Sequence, residues 1–237
     1  SHNVLKLSKE LNLGIDSFVF WDDNPIERDK MKQVLPDVKT VDVPINVYEW
    51  PDLLKNMIEF SKFLITEDDF NKTKQYKNRA KFVRDSSKVL DQKSYLKSIK
   101  LIPELHNITE SNIKRAVQLC QKTNQFNLRT QRHGEDNILK MSNKNNDFCF
   151  MTNLKDIYGD HGIVNLVCLH EINSDYLFLD TFLMSCRVLG RNLESWILQQ
   201  TINRAKSHKY KYLVGEFIET KKNIFIKDFL LNNGFSM

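Results

Sequence analysis

No apolar run in this sequence approaches the roughly 18 residues that a membrane span needs. No secretory leader is expected either, because the first ten residues, SHNVLKLSKE, are polar and helical in pattern. Cysteine is scarce. Four occur in 237 residues, at positions 120, 149, 168 and 186, with no CxxC and no paired spacing. Without a leader they read as reduced thiols of a cytoplasmic protein. Cys149 and Cys168 lie inside apolar runs and are expected as small buried hydrophobes. Internal repeats and low-complexity tracts are absent, as is any aromatic stacking pattern or motif for nucleic acid. Neither a membrane nor a nucleic acid is therefore an expected partner.

What the sequence does have is the composition of a soluble globular protein, 41% hydrophobic and 27% charged, long enough for one large or two small domains. Its net charge of +5 is unevenly placed: residues 62–100 hold eleven Lys or Arg against five Asp or Glu, more than the whole excess. Such a run is either a solvated helix face or a docking surface for an acidic partner.

Three segments follow from the patterning. Residues 1–61 alternate helix and strand. Val4, Leu5, Leu7 and Leu11 form a helical stripe with a stop at Leu13-Gly14, residues 17–21 form an apolar strand, and Pro25 opens a helix over 26–34. A second strand is expected over 38–43. Residues 62–99 read as a basic helical linker, with Thr66 as N-cap and Glu67, Asp68 and Asp69 in the first turn. Residues 100–237 run strand (101–105), helix (110–120), loop and helix (124–141), and three antiparallel strands (147–152, 163–170, 176–184). A helix (190–206), a strand (212–218) and a helix (223–231) complete the order. The expected class is α/β, a mixed sheet flanked by helices.

The turn Cys186-Arg187-Val188-Leu189-Gly190-Arg191-Asn192 leaves an apolar strand and opens a helix. Amides after Gly190, with Arg187 and Arg191, would there hold an anion. The pattern resembles the Arg-x-x-Gly-x-Gly/Ala pyrophosphate loop of GCN5-related N-acetyltransferases (the GNAT fold), with Asn192 at its last position. Residues 223–235, NIFIKDFLLNNGF, resemble that fold's second signature, an Asn opening a helix that ends in Gly-Phe. Leu230 stands where the family often carries a Tyr general acid, so a Tyr-assisted amine acetyltransferase is not expected.

Four blocks extend the likeness. They are residues 18–28 (FVFWDDNPIER), 121–127 (QKTNQFN), 180–191 (DTFLMSCRVLGR) and 215–223 (GEFIETKKN). In this order they resemble the FkbH-like family, which joins a haloacid-dehalogenase (HAD) phosphatase domain to a GNAT-like domain. The resemblance implies a HAD remnant at 1–61, of Rossmann-like βα type, and a GNAT-like acyltransferase at 100–237. It implies a glyceryl or small-hydroxyacyl transferase that takes its acyl unit from an acyl phosphate of the 1,3-bisphosphoglycerate type. The acceptor would be the phosphopantetheine of an acyl carrier protein; the alternatives are an acyl-CoA-dependent transferase and a non-catalytic carrier-binding platform. Asp22 and Asp23 match the HAD acidic pair that helps hold Mg²⁺. No Asp-x-Asp precedes Asp22, so phosphoryl transfer is not expected of this chain, which reads as cut just inside its phosphatase domain.

For the transfer itself, Cys186 at a helix start beside Arg187 and Arg191 is expected to have a lowered pKa and to carry the acyl group as a thioester. His170, at a neighbouring strand's end, is the candidate base. Asp180 either orients a base, holds a substrate hydroxyl or pairs with an arginine. Asn124, Gln125, Asn127 and Arg129 form a polar cluster after the first helix of this part, and Glu216, Lys222 and Asn223 flank the far side of the cleft. Carrier proteins are acidic as a class, so the basic stretch from Lys72 to Lys100 is the expected docking face.

Overall fold

The computed structural model describes residues 1–61, 70–144 and 147–237. The chain divides into two units, Ser1–Phe70 and Asn71–Met237. The expected helix start at Thr66 to Asp69 lies outside the described residues.

In the first unit α1 (His2–Leu11) ends at Asn12, which takes the left-handed conformation (φ 53°) two residues before Gly14. Strand β1 (Val19–Phe20) leads into α2 (Pro25–Val34), then into β2 (Lys39–Thr40), which pairs with β1 in parallel. The start of α2 is fixed locally. Asn24 Oδ1 accepts from Ile26 N at 3.0 Å, and Pro25 sits where a missing N–H costs nothing. Helix α3 (Trp50–Lys55) closes a small core of Val41, Val43 and Met57, with Trp21 and Trp50 packed edge to face. Both strands are two residues long, shorter than the apolar runs suggest.

The second unit opens with α4 (Lys72–Ser86) and α5 (Gln92–Ser98). The expected linker is thus largely part of this unit: α4 buries Gln75, Arg79, Ala80 and Phe82, and Arg79 Nη1 donates to Arg187 O at 3.2 Å. Then come β3 (Ile102–Asn107), α6 (Ile113–Lys122), β4 (Phe126–Asn127), α7 (Glu135–Lys144), β5 (Cys149–Asp156), β6 (Gly159–Glu171) and β7 (Tyr176–Met184). Helix α8 (Leu193–Ser207), β8 (Tyr212–Gly215) and α9 (Phe229–Asn232) finish the unit. The sheet order is β3-β5-β6-β7-β4 with β8 also on β7; β8 is parallel to β7 and the other pairings are antiparallel.

Period-two alternation sends neighbouring side chains to opposite faces. Phe150, Val167 and Phe182 pack with Ile197, Leu198 and Phe229 on one face, while Met151, Leu166 and Leu183 pack with Ile113, Leu119 and Ile138 on the other. Each such side chain contributes about 1.5–3 kcal/mol on leaving water. The result is a mixed sheet between two helical layers, the α/β class expected.

The loop and helix expected over 124–141 are present, with the short strand β4 inside the loop and the helix beginning at Glu135. Asn127 Oδ1 accepts from Arg129 N at 3.3 Å and Thr130 N at 2.9 Å, and this turn, with Thr130 at φ 55°, shapes the loop. The helix expected from residue 190 starts at Leu193, because Gly190 (φ 88°) and Asn192 (φ 59°) are both left-handed. Residues 223–231 split into a single 3-10 turn (Ile224–Ile226) and the short α9.

Candidate active site

Strands β7 and β8 run side by side from Tyr176–Tyr212 to Leu179–Gly215 and then part. Asp180 and Glu216 are the first residues past the last pair. Asp180 is also the extra residue of a β-bulge: Leu169 faces Leu179 and Cys168 faces Thr181, so Asp180 has no partner on β6. Bulges re-aim side chains, and this one places a carboxylate at the fork.

Arg129 fills the fork. Its Nη1 lies 2.6 Å from Asp180 Oδ1 and its Nε 2.7 Å from Glu216 Oε2, while Nη1 also donates to Asp180 O at 3.1 Å. Just beyond, the chain bridges both arms: Leu128 N donates to Phe182 O at 3.2 Å and Ile218 N donates to Leu128 O at 2.8 Å. Asn223, fully buried, clasps the bridge by donating to Asn127 O and Ile218 O, both at 2.9 Å.

On the other carboxylate oxygen, His133 Nε2 lies 2.8 Å from Asp180 Oδ2, and Thr181 Oγ1 donates to it at 2.9 Å. His170 Nδ1 is 4.0 Å from Asp180 Oδ1, with its ring against Phe178. Burial alone would raise the Asp180 pKa. The hydrogen bonds from His133 and Thr181, with the charges of His133 and Arg129, outweigh it and hold the carboxyl at about 2. Asp180 is therefore an ionised group that orients the His133 ring: in a neutral imidazole, Nε2–H on the carboxylate leaves the lone pair on Nδ1.

Of the residues singled out in the sequence, the fold brings together Asp180, Arg129, Glu216 and His170, with Asn127 and Asn223 as their buried scaffold. Asp180 both pairs with an arginine and orients a histidine. That histidine, His133, was missed: no spacing ties a lone His in a polar loop to a strand residue 47 positions on. Gln125 is half-buried beside β4. Asn124 accepts from Arg132 and, with Lys222, lines a neighbouring depression.

The turn after β7 differs from its expectation. Arg191 is 0% exposed, its Nε 2.8 Å from the equally buried Asp156 Oδ2 and its guanidinium 3.9 Å over the Phe82 ring. Arg187 is buried as well and donates to Ser185 Oγ at 3.1 Å. Gly190 precedes α8 by three residues, and the first turn of α8 carries the acid Glu194. A pyrophosphate cradle on Arg187, Gly190 and Arg191 does not fit this geometry. Cys186 lies on a 3-10 turn, not at a helix start. Burial pushes its thiol up, and the nearby Arg79 and Arg187 charges only partly offset that, so the lowered pKa is corrected to a raised one.

In the first unit Asp22 Oδ1 accepts from Asn24 N at 2.9 Å, and Arg28 Nη1 donates to the carbonyls of both Asp22 and Asp23. Among the described residues no group of three or more His, Cys, Asp or Glu converges on a metal position. The pair with its arginine does not by itself fit Mg²⁺, which wants several oxygen ligands. Nor, among the described residues, is any helix long and apolar enough to cross a membrane.

No protein-family model and no curated protein matches the chain. Solved structures similar to part of it include Ard1 from Thermoplasma volcanium, with 11% identity over 57% of this chain and 83% of that one at a TM-score of 0.47. Another is a Mycobacterium tuberculosis protein solved with CoA and NLQ, with 16% identity over 56% and 71% at a TM-score of 0.44. A third is a ribosomal-protein-alanine N-acetyltransferase from Brucella melitensis, with 12% identity over 56% and 84% at a TM-score of 0.42. At these identities and scores the architecture rests on the strand order and the fork, not on the likenesses.

Proposed function

We propose that the unit of residues 71–237 is an acyltransferase in which His133, held by Asp180, is the general base. The observation that supports this reading is the Asp180–His133 pair, 2.8 Å apart, at the parting of a parallel strand pair in a sheet of GNAT type. His133 Nδ1 takes the proton of an acceptor thiol, hydroxyl or amine as that atom attacks the acyl carbonyl carbon. The acyl–sulfur bond of a thioester donor then breaks, and the departing thiolate receives the proton from the imidazolium. Arg129 pairs with both Asp180 and Glu216, which helps both carboxylates stay charged at one point of the sheet.

The donor in this reading is a thioester of phosphopantetheine, borne either by CoA or by an acyl carrier protein. Residues 126–128 already occupy the β7 edge beyond the fork, so the arm of such a donor meets the dyad from outside it. The FkbH-like reading adds an acidic carrier as partner, and the outward face of α4 suits one. Its covalent route through Cys186 loses the activated thiolate it needs, and no phosphoryl-transfer step is assigned to the first unit.

Thiol release from acyl-CoA and acyl-pantetheine donors, followed across pH with a panel of small acceptors, tests the assignment. His133→Gln should lower kcat by about 10²–10⁴-fold and abolish the acid limb of the pH–rate profile. Asp180→Asn should act in the same direction, whereas Cys186→Ala should keep the activity. Full turnover in His133→Gln would sink the proposal.

A further inference from the structure

Asp180 holds the His133 ring, but the backbone of His133 lies in residues 131–134, which belong to no helix or strand. Gly134 follows directly. A Cβ there would meet nothing within 4 Å, and its φ is not left-handed, so neither space nor conformation requires glycine. It adds freedom beside the base and no support. A ring fixed at one nitrogen on a free backbone would pivot about that bond and carry Nδ1 with it.

The backbone is not free. The last turn of α6 takes it from both sides: His133 N donates to Cys120 Sγ at 3.2 Å, and Gln121 Nε2 donates to His133 O at 3.2 Å. Cys120 Sγ itself donates to Gln131 O at 3.1 Å. A thiol that donates must keep its proton, and burial pushes the Cys120 thiol up against the smaller pull of the His133 amide. Between these two residues Arg132 folds back on the helix, donating to Cys120 O, to Thr123 O at 3.2 Å and to Asn124 Oδ1. The two carbonyls belong to the end of α6, where intrahelical partners run out and the dipole favours a cation. Three consecutive residues, 131 to 133, are thus tied to one helix end.

That helix end is rigid with respect to the sheet. Cys120 is 0% exposed and shares a core with Ile113, Leu119, Met151, Leu166 and Leu183. Both anchors of His133 therefore refer to the same sheet, the ring through Asp180 on β7 and the backbone through α6. Magnitudes separate a role in placement from a role in folding. One neutral hydrogen bond contributes little to global stability, whereas a base displaced by about 1 Å loses about 10²-fold in rate.

We infer that the end of α6 positions the base: Cys120 and Gln121 hold the His133 backbone, Arg132 locks the segment between them, and Nδ1 is left one direction. The inference rests on the acyltransferase reading and adds three positioning residues to it. They act through His133, not on the substrate.

Thiol release from acyl-CoA by the full chain, with exchange of the His133 amide followed by NMR, tests this. Gln121→Leu, at an exposed position, should lower kcat by about 10–100-fold at unchanged KM and leave the urea midpoint in place. Cys120→Ala should also lower kcat and release the His133 amide to fast exchange. Cys120→Ser, which keeps a donor and an acceptor, should restore most of both. In a His133→Gln background, Gln121→Leu should cost nothing further, because a residue that acts only through the base has nothing to position once it is gone. Additive losses across that cycle, or wild-type kcat in both Gln121→Leu and Cys120→Ala, overturn the inference. The two readings fail separately. Full turnover in His133→Gln removes the base, and amide protection lost in Cys120→Ala still shows the clamp; a dead His133→Gln beside a fully active Gln121→Leu and Cys120→Ala removes the clamp alone.

Discussion

Arg191 and Arg129 each pair with an aspartate, in opposite surroundings. Arg191 and Asp156 are both at 0% side-chain exposure, with His161 Nε2 a further 2.9 Å from Asp156 Oδ1, whereas Arg129 keeps 16% and shares its charge with the half-exposed Glu216. Truncating one member of a sealed pair strands the other. Arg191→Ala should therefore cost about 3–5 kcal/mol in urea unfolding. A loss below about 0.5 kcal/mol, the range of an ordinary surface change, would refute the structural role. The sequence shows that Arg191 follows a strand and precedes a helix, and that much is correct. It does not show that Asp156, 35 residues earlier, will meet it in the core. The same holds for Asp180: its alternatives could be written down, but a one-residue bulge leaves no mark in an apolar run, and without the bulge its direction is unknown. For Cys186 the neighbouring arginines are legible, while the burial that outweighs them is a property of the packed fold.

Helix α4 has two chemically distinct sides. Gln75, Arg79 and Phe82 face the sheet unit, while Lys74, Lys77, Lys81 and Arg84, at spacings of three and four, stay exposed. If an acidic carrier docks there, Lys77→Glu/Lys81→Glu should raise KM for a carrier-bound thioester several-fold and leave kcat unchanged. The effect should fade as salt shortens the Debye length from about 10 Å at 0.1 M. A fall in kcat at constant KM would place the helix in some other role. Among the elements, strand 176–184 is read from its pattern alone because it is apolar on both faces and bounded by polar turns. Helix ends fared less well. Gly190 with Asn192 delays α8 until Leu193, and residues 223–231 form a 3-10 turn and a four-residue helix instead of one run. Such local competition is decided by tertiary partners that the sequence does not display.

At the scale of the whole molecule, the two units differ in how much they enclose. The first gathers its core around a two-stranded sheet, and the second around six strands with helices on both faces. The order of elements in the second unit could be written from the sequence. The fork could not, because it depends on where two parallel strands stop pairing. The bridge of residues 126–128 has a kinetic consequence. Its bonds span 96 residues from Asn223 to Asn127 and 54 from Leu128 to Phe182, so no local segment can form it, and it has nothing to close until β7 and β8 lie side by side. Closure of the fork should then be among the last events of folding, after the rate-limiting barrier. Asn223→Ala, which leaves buried backbone acceptors unmet at about 1–3 kcal/mol, should steepen the loss of the native state by raising the unfolding limb of the chevron while the refolding limb stays in place. A slowed refolding limb would instead make the clasp part of the nucleus. Late closure would also make the dyad the first part of the unit to come undone, ahead of the sheet that carries it.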